Sequence, residues 1–194
     1  MRGVGPGSTM MSRMILMTAE PEPRAVLRTE CLRLRSCTLE DVDANLAMDL
    51  EPQVHRYIFA KAPDPDHWRA RITAQITSGW PQIGGLWAVE RQGEPGFLGW
   101  CGLFPLEHSG LIEIGYRYVP AAWGQGIGSE AARAVLDHGF RALALDPIVA
   151  VAHPDNRASQ RVLEKIGLQP AGEAYYYGEW LRFFRLTRAQ YLTG

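Results

Sequence analysis

The stretch Val119-Pro-Ala-Ala-Trp-Gly124-Gln-Gly126-Ile-Gly128-Ser129 decides the fold of this chain. It joins residues 111–119, whose alternating apolar side chains predict a strand, to a run with a helical apolar period. Its alternate glycines can take positive φ and carry no Cβ, so successive backbone N–H groups can converge on one point. A helix begins there, and helix N-termini favour anions such as phosphate. The stretch therefore predicts a site for a phosphate-bearing cofactor.

Two other phosphate motifs and one purely structural explanation compete with this interpretation. A Walker loop requires Gly-Lys before Ser or Thr, but here Gly128 is followed directly by Ser129. A dinucleotide fingerprint has the spacing G-x-G-x-x-G in a first βα turn, whereas these glycines follow several strands at G-x-G-x-G spacing. Glycines that only shape a turn would not need to be so dense. The Walker and dinucleotide motifs are therefore disfavoured. A purely structural turn remains an alternative, weaker than the phosphate site.

Outward from this loop, the apolar pattern predicts a mixed α/β domain. Alternation or short apolar runs predict strands, and recurrence every three to four residues predicts helices. The predicted order is strand 31–35, helices 38–50 and 65–79, strands 86–89, 97–103 and 111–119, helix 129–143, strand 148–152, helix 156–166, and two strands around 175–177 and 181–186. Short links between strands 86–89, 97–103 and 111–119 favour an antiparallel meander. The continuous apolar run 148–152 is typical of a strand buried on both faces.

The composition excludes several classes of protein. The 194 residues are 46% hydrophobic and 21% charged, which is typical of a globular chain rather than a collagen, coiled coil or disordered segment. A net charge of -1 provides no basic field for nucleic acid, and no apolar run is long enough for a membrane helix. Three cysteines without C-x-x-C spacing favour a reducing compartment over a zinc site, so we expect a cytoplasmic protein without a metal. Residues 1–25 show no period and predict a flexible extension, followed by a single domain over 26–194.

Two motifs in this order resemble the GCN5-related N-acetyltransferase (GNAT) family. The first is Pro120-Ala-Ala-Trp-Gly-Gln-Gly-Ile-Gly128, preceded by Ile114-Gly-Tyr116, and the second is His153-Pro-Asp-Asn156-Arg-Ala-Ser159, which continues to Gly167. Their Trp-Gly-x-Gly and Asn-x-x-Ser forms are similar to the ribosomal-protein alanine acetyltransferase branch. The resemblance spans residues 27–192. It implies an α+β fold with a mixed, mostly antiparallel sheet of six to seven strands and about four flanking helices. The sheet would splay between its fourth and fifth strands around the pantetheine arm of acetyl-CoA.

The resemblance also implies the residues that contact acetyl-CoA. Backbone groups of the fourth strand would pair with the pantetheine arm and polarise the thioester, backbone N–H groups of the glycine loop would hold the pyrophosphate, and one side chain at the start of the next helix would bind the cofactor. The strand residues are Tyr116, Arg117 and Tyr118. The loop residues are Gly124, Gln125, Gly126, Ile127, Gly128 and Ser129, and the residue at the helix start is Asn156.

The proton-transfer residues are less clearly indicated. Leu163 and Val151 occupy positions where some family members carry a tyrosine acid and a glutamate, and neither can move a proton. Ser159 is the remaining candidate acid, with cofactor binding as its alternative role. Glu113 and His153 are candidate bases, with Glu113 preferred. Their structural alternatives are a Glu113–Arg117 pair on one strand face and a hydrogen-bonded, capping histidine.

The predicted function is transfer of an acetyl group from acetyl-CoA to a primary amine by direct attack in a ternary complex. The alternatives are a catalytically weak acyl-CoA sensor of the same fold and a different donor such as succinyl-CoA. We expect a monomer or homodimer with no nucleic-acid or membrane partner. Trp80, Trp87 and Trp100 are expected in the core or cleft wall, residues 175–177 beside the acceptor groove, and Arg33 and Arg35 on an exposed strand face.

Overall fold

A mixed β-sheet forms the centre of the computed structural model, which describes residues 25–58, 64–78 and 83–193. The strands are β1 (Leu27–Arg28), β2 (Leu32–Ser36), β3 (Gly85–Arg91), β4 (Glu94–Pro105), β5 (Ile112–Tyr118), β6 (Ile148–Ala152), β7 (Gln169–Tyr176) and β8 (Glu179–Leu186). Their order in the sheet is β1-β2-β3-β4-β5-β6-β8-β7. Neighbouring strands are antiparallel except β5 and β6, which are parallel.

The helices cover both faces of this sheet. They are α1 (Val42–Leu50), α2 (Pro52–His55), α3 (Pro65–Ser78), α4 (Ile127–Asp137), α5 (Arg157–Lys165) and α6 (Arg188–Thr193). Successive residues of β3 alternate between two cores, as a pleated strand requires. Trp87 and Val89 belong to the core that contains the buried residues of α4, whereas Leu86 and Ala88 belong to the core formed with α1 and α3.

Most predicted elements are confirmed within one to three residues at their ends. The antiparallel meander of β3, β4 and β5 is present, and the strand at 148–152 is buried along nearly its whole length. Thr38 and Asp41 form a capping box before α1, with the Thr38 amide donating to Asp41 at 2.8 Å. The described residues contain eight strands rather than six to seven because the chain before β2 turns back as the two-residue β1. They also add the short α2 and α6 to the four expected helices.

The prediction of an exposed face at Arg33 and Arg35 is wrong for Arg35. The Arg35 guanidinium donates to Asp41 and to Glu90, at 2.7 Å in each case, and only 24% of its side chain is exposed. Arg33 also pairs with Glu90 but keeps 38% of its side chain exposed. Glu90 comes from the neighbouring strand, opposite Arg33, so the buried network depends on sheet register and not on the pattern within β2.

Other expectations are confirmed in part or lie outside the described residues. Trp87 and Trp100 are buried as predicted, while Trp80 lies outside the described residues. The predicted N-terminal extension, residues 1–25, also lies outside them except for its last residue. The carbonyl of that residue, Ala25, accepts a hydrogen bond of 2.9 Å from the Trp87 indole, which ties the start of the described chain to the core.

Candidate functional site

The sheet opens between β5 and β6, as the sequence predicts for its fourth and fifth strands. These two strands pair only at Ile112 with Ile148 and at Glu113 with Val149, so the rest of β5 has no ladder on that side. The Val119 amide bonds the Leu98 carbonyl of β4, and hydrogen-bonding direction alternates along an antiparallel pair. Backbone groups of Tyr116 and Tyr118 consequently face the opening, whereas those of Arg117 face β4.

The glycine loop borders a cavity of about 440 Å³ at this opening, which we call the glycine-loop cavity. Gly124 and Gly126 take φ values of +73° and +81°, and Gly126 caps α4. A Cβ added at either glycine would meet no atom within 4 Å, so it would occupy open space at the cavity wall. The amides at the start of α4 therefore have an accessible approach, and the helix dipole favours a negative charge there.

The remaining loop residues are placed differently from one another. Ser129 and Gly128 line the glycine-loop cavity, and a Cβ on Gly128 would lie 3.3 Å from the Tyr118 ring. The Ile127 side chain is 3% exposed and belongs to the core, which anchors the helix start. Gln125 donates to the Ala121 carbonyl at 2.6 Å and accepts from Arg91, so its side chain stabilises the loop.

Three basic side chains that the sequence analysis did not select also line the glycine-loop cavity. Arg161 and Lys165 lie four residues apart on α5, and Arg56 follows α2. Four-residue spacing after a helix cap places side chains on one helical face, so Arg161 and Lys165 could have been found from the sequence. The glycine amides, the helix N-terminus and these cations together fit a large polyanionic cofactor such as a CoA thioester.

Asn156, Ser159 and Tyr116 meet where α5 begins beside β5. The Asn156 side-chain oxygen accepts the Ser159 amide at 3.1 Å, so Asn156 is the N-cap of α5. The Tyr116 and Ser159 hydroxyl oxygens are 3.1 Å apart, and Tyr116 also donates to the Ser159 carbonyl at 3.1 Å. Burial raises the pKa of Tyr116, so this hydroxyl stays protonated and can donate. The structure thus joins Ser159 to a second hydroxyl that the sequence analysis considered only for its backbone.

A second cavity, of about 640 Å³, lies beyond these residues and contains Glu113; we call it the Glu113 cavity. Its walls combine aromatic rings of α3 and β4 with acidic groups from the β4–β5 loop and β8. The two cavities share the lining residues Tyr57, Ile58, Tyr116, Arg117, Asn156 and Ser159. A group held in one cavity can therefore approach a group held in the other at Tyr116 and Ser159.

The preferred candidate base, Glu113, is buried, with 5% of its surface exposed. Its carboxylate accepts a 2.6 Å hydrogen bond from the Tyr177 hydroxyl and another from the Val151 backbone. Burial raises the pKa of Glu113 to about 7, even though these hydrogen bonds and the charge of Arg117 act to lower it. A carboxyl with this pKa can exchange a proton near neutral pH.

Arg117, the structural partner considered for Glu113, is bonded to a different carboxylate. Its guanidinium donates to Asp49 of α1 at 2.9 Å, and the same Asp49 oxygen accepts the Trp68 indole at 2.6 Å. Asp49 is 1% exposed, so this network is buried in the wall of the Glu113 cavity. The sequence did not point to Asp49, because the pair joins residues 68 positions apart.

His153, the second candidate base, lies at the end of β6 and also lines the Glu113 cavity. Its ring stacks on Tyr57 at a centroid distance of 5.3 Å, and its Nδ1 accepts the Asp155 amide at 3.1 Å. These contacts match the structural alternative considered for this residue. Leu163 and Val151 also reach the same cavity, where their apolar side chains cannot transfer protons.

The described part of the chain holds neither a metal-binding cluster nor a membrane-spanning helix. Within residues 25–58, 64–78 and 83–193, no three or more His, Cys, Asp or Glu side chains are grouped so that they could hold a metal ion. No helix in these ranges combines the length and apolar character needed to cross a bilayer.

Comparison with known proteins agrees with this geometry. The family model described as "Acetyltransferase (GNAT) domain" matches residues 32–169. The uncharacterized N-acetyltransferase YoaA of Bacillus subtilis is 31% identical over 154 residues, which cover 78% of this chain and 87% of YoaA. The uncharacterized protein YkkB of the same organism is 44% identical over 85 residues, which span 43% of this chain and about half, 49%, of YkkB.

A solved structure supports the same assignment at the level of fold. RimJ of Mycobacterium smegmatis, determined in complex with CoA-disulfide, superposes with a TM-score of 0.68 over 89% of this chain and 94% of RimJ, at 21% identity. The splayed sheet, the glycine loop at a helix start and the family match over residues 32–169 lead to one conclusion. The chain belongs to the GNAT acetyltransferase family.

Proposed function

We propose that this protein transfers an acetyl group from acetyl-CoA to a primary amine by direct attack in a ternary complex. The observation that carries the proposal is the meeting of the glycine-loop cavity and the Glu113 cavity at Tyr116 and Ser159. The glycine-loop cavity suits acetyl-CoA because the amides of this cavity can bind phosphate and its walls are basic. Acetyl-CoA would supply the acetyl thioester. An amine fits the Glu113 cavity, where a buried carboxyl can take up its proton.

Different residues of the chain are proposed to bind different parts of acetyl-CoA. Amides from Gly124 to Ser129 hold the pyrophosphate, and Arg161 and Lys165 add positive charge to the same wall. Backbone groups of Tyr116 and Tyr118, exposed by the opening of the sheet, pair with the pantetheine arm and polarise the thioester carbonyl. The Tyr118 carbonyl already accepts the Trp123 indole at 2.9 Å, so its N–H is the group with an open approach.

Proton transfer is assigned to residues on the two sides of the junction. Glu113 accepts a proton from the acceptor ammonium, which frees the nitrogen lone pair to attack the acetyl carbon. As the new C–N bond forms, the C–S bond breaks, and Ser159 donates a proton to the leaving sulfur. The amide nitrogen then releases its second proton, which restores the Ser159 hydroxyl, while the Tyr116 hydroxyl 3.1 Å away keeps its own proton and polarises Ser159. Ser159 is therefore the proposed acid and Glu113 the proposed base.

The acceptor class follows from the resemblance and from the shape of the site. We propose a protein N-terminus or a small-molecule amine, with the ribosomal-protein alanine acetyltransferase branch as the model. The Glu113 cavity is lined by Trp68, Trp100 and Phe104 as well as by acidic groups, so it can hold an apolar stem beside an ammonium. A cytoplasmic location and a monomer or homodimer remain predictions from the sequence alone.

The test is acetyl transfer measured beside acetyl-CoA binding. The purified chain is incubated with acetyl-CoA and a panel of small amines, polyamines and peptides with free N-termini, and released CoA thiol is measured against a reaction without amine. We expect binding of acetyl-CoA by calorimetry and amine-dependent CoA release with at least one class. Failure to bind acetyl-CoA contradicts the proposal. Binding without turnover across the panel contradicts the transferase role and favours an acyl-CoA sensor, and parallel reactions with succinyl-CoA identify the donor.

A further inference from the structure

Tyr177 lies in the turn between β7 and β8, at the rim of the Glu113 cavity. Its backbone takes φ +55°, a left-handed conformation that residues with side chains seldom adopt. Two hydrogen bonds to the β4–β5 region hold it there. Its amide donates to the Glu107 carboxylate at 2.6 Å, and its hydroxyl donates to the Glu113 carboxylate at 2.6 Å.

The Tyr177 hydroxyl is one of two donors that the structure gives to the buried Glu113 carboxylate. The other is the Val151 backbone of β6, which the strand ladder fixes in place. Arg117, on the same strand as Glu113, contributes an attractive charge while its guanidinium bonds Asp49. The other titratable or charged groups that line the Glu113 cavity are Tyr57 after α2, Arg71 of α3, Glu107 and His108 of the β4–β5 loop, Tyr116 of β5, His153 after β6, and Glu179 of β8.

The geometry indicates a role for Tyr177 beyond shaping the turn. Both hydrogen-bond donors stabilise the ionised carboxylate. They stabilise the protonated carboxyl less, because it carries no negative charge. Loss of the Tyr177 hydroxyl would remove the donor on the cavity side and leave the Val151 donor on the strand side. The carboxylate would then lose both its orientation and part of the stabilisation of its charge.

We propose that Tyr177 is a positioning residue that fixes the Glu113 carboxylate towards the acceptor and favours its ionised form. The proposal rests on the proposed function, because it concerns the residue assigned there as the base. The two-residue turn between the paired residues Tyr176 and Glu179 sets the left-handed conformation of Tyr177, and Glu107 bonds its amide there.

The direct test is the titration of Glu113 itself. The full chain is labelled with glutamate carrying ¹³C at the carboxyl carbon, and the Glu113 signal is assigned by its loss in Glu113→Gln. We expect Tyr177→Phe to raise the midpoint of the Glu113 titration by about one pH unit, because a donor to the ionised form has been removed. Tyr175→Phe is the matched control on the same hairpin, since Tyr175 is 59% exposed and its ring packs against Trp180. An unchanged or lowered midpoint in folded Tyr177→Phe overturns the proposal.

A kinetic measurement separates positioning from simple structural damage. In Tyr177→Phe the acid limb of kcat/KM against pH should move upward with the Glu113 midpoint. At alkaline pH the part of the loss that comes from protonation of Glu113 should recover, while the part that comes from its lost orientation remains. A uniform loss at every pH contradicts the proposal. In a Glu113→Gln background, which lacks the acid limb assigned to Glu113, Tyr177→Phe should leave the pH profile of kcat/KM unchanged, and a changed profile there would also contradict the proposal.

Failure of this inference can be distinguished from failure of the proposed function. If the wild-type chain binds no acetyl-CoA but the titration midpoint of Glu113 is raised in Tyr177→Phe, the proposed function is wrong. The effect of the Tyr177 hydrogen bond on Glu113 is then still supported. If the wild type transfers acetyl groups and neither the midpoint nor the acid limb moves, the positioning role of Tyr177 fails alone.

Discussion

The two cavities of this protein are built in different ways. The glycine-loop cavity takes most of its proposed binding groups from two continuous segments, residues 119–129 and 156–165, and many of these groups are backbone amides. The Glu113 cavity depends on side chains brought from distant positions, such as the Glu113–Tyr177 and Arg117–Asp49 contacts across 64 and 68 residues. A site made from local backbone constrains the sequence in a recognisable pattern. A site made from long-range side-chain contacts leaves no such pattern, so the two cavities should respond differently to substitution.

The largest effect is expected from a side chain in the glycine loop. Gly126→Val places a branched side chain at φ +81° and fills open space at the cavity wall. We expect acetyl-CoA to bind at least about a thousandfold more weakly, roughly 4 kcal/mol, as measured by calorimetry. Gly172→Val is the matched control, since Gly172 has φ +98° and open space around its Cβ but lies on β7 outside both cavities. Equal loss of binding in the two variants would mean that backbone strain, not occupation of the cavity, causes the effect.

The second-largest effect is a loss of folding stability from a residue in the wall of the Glu113 cavity. Asp49→Ala removes a buried carboxylate shared by Arg117 and Trp68, and breaking a buried ion pair typically costs about 3 kcal/mol or more. We expect that loss in urea unfolding, with acetyl-CoA affinity unchanged in the folded protein. Asp43→Ala, in the same helix, removes a carboxylate that is 82% exposed and pairs with Arg69, so it should cost below about 1 kcal/mol. Similar losses in both variants would contradict the buried role of Asp49.

Removal of the proposed base should affect turnover without affecting donor binding. Glu113→Gln keeps the shape of the side chain, but its amide cannot take up a proton, so we expect kcat to fall about 100-fold, the low end for general acid–base catalysis. The affinity for acetyl-CoA should be unchanged by calorimetry. Glu94→Gln, on the exposed β3–β4 hairpin, is the control for the chemical change.

The pH profile tests the same residue by a different route. The pKa of Glu113 is raised to about 7 by burial, and a base must be ionised to accept a proton. In the wild type, kcat/KM should therefore fall as the pH decreases through about 7, and Glu113→Gln should lack this limb. A limb at the same pH in the Gln variant would assign it to a group other than Glu113.

The smallest effect is expected at the junction of the two cavities. Ser159→Ala should lower kcat about tenfold and leave the Kd of acetyl-CoA nearly constant, because the Tyr116 hydroxyl is already beside the position of Oγ. Tyr116→Phe, which removes the second hydroxyl and keeps the ring, is the matched variant. Equal losses in kcat and in acetyl-CoA affinity would assign Ser159 to cofactor positioning.

The same division between local and distant contacts explains how much could be predicted. Residues 119–129 predicted the glycine loop, since spacing along the chain fixes which amides converge at a helix start. The sequence left Asp155 and Asn156 as alternative caps of α5, because capping involves residues only three positions apart, and the structure selects Asn156. The pairing of Arg35 with Glu90 was not predicted, because Glu90 arrives through the register of β2 and β3.

Local sequence accounts for the order of strands and helices, for the splayed sheet implied by two motifs, and for the loop proposed to hold phosphate. Hydrophobic period, glycine freedom and helix capping act over a few residues, so they can be read along the chain. The tertiary structure decided that Glu113 is buried with a pKa of about 7, that its partner is Tyr177, and that Arg117 is bonded to Asp49. Burial and charge depend on which distant segments pack together. The groups proposed to bind the donor are thus visible in the sequence, while those proposed for proton transfer become visible only in the fold.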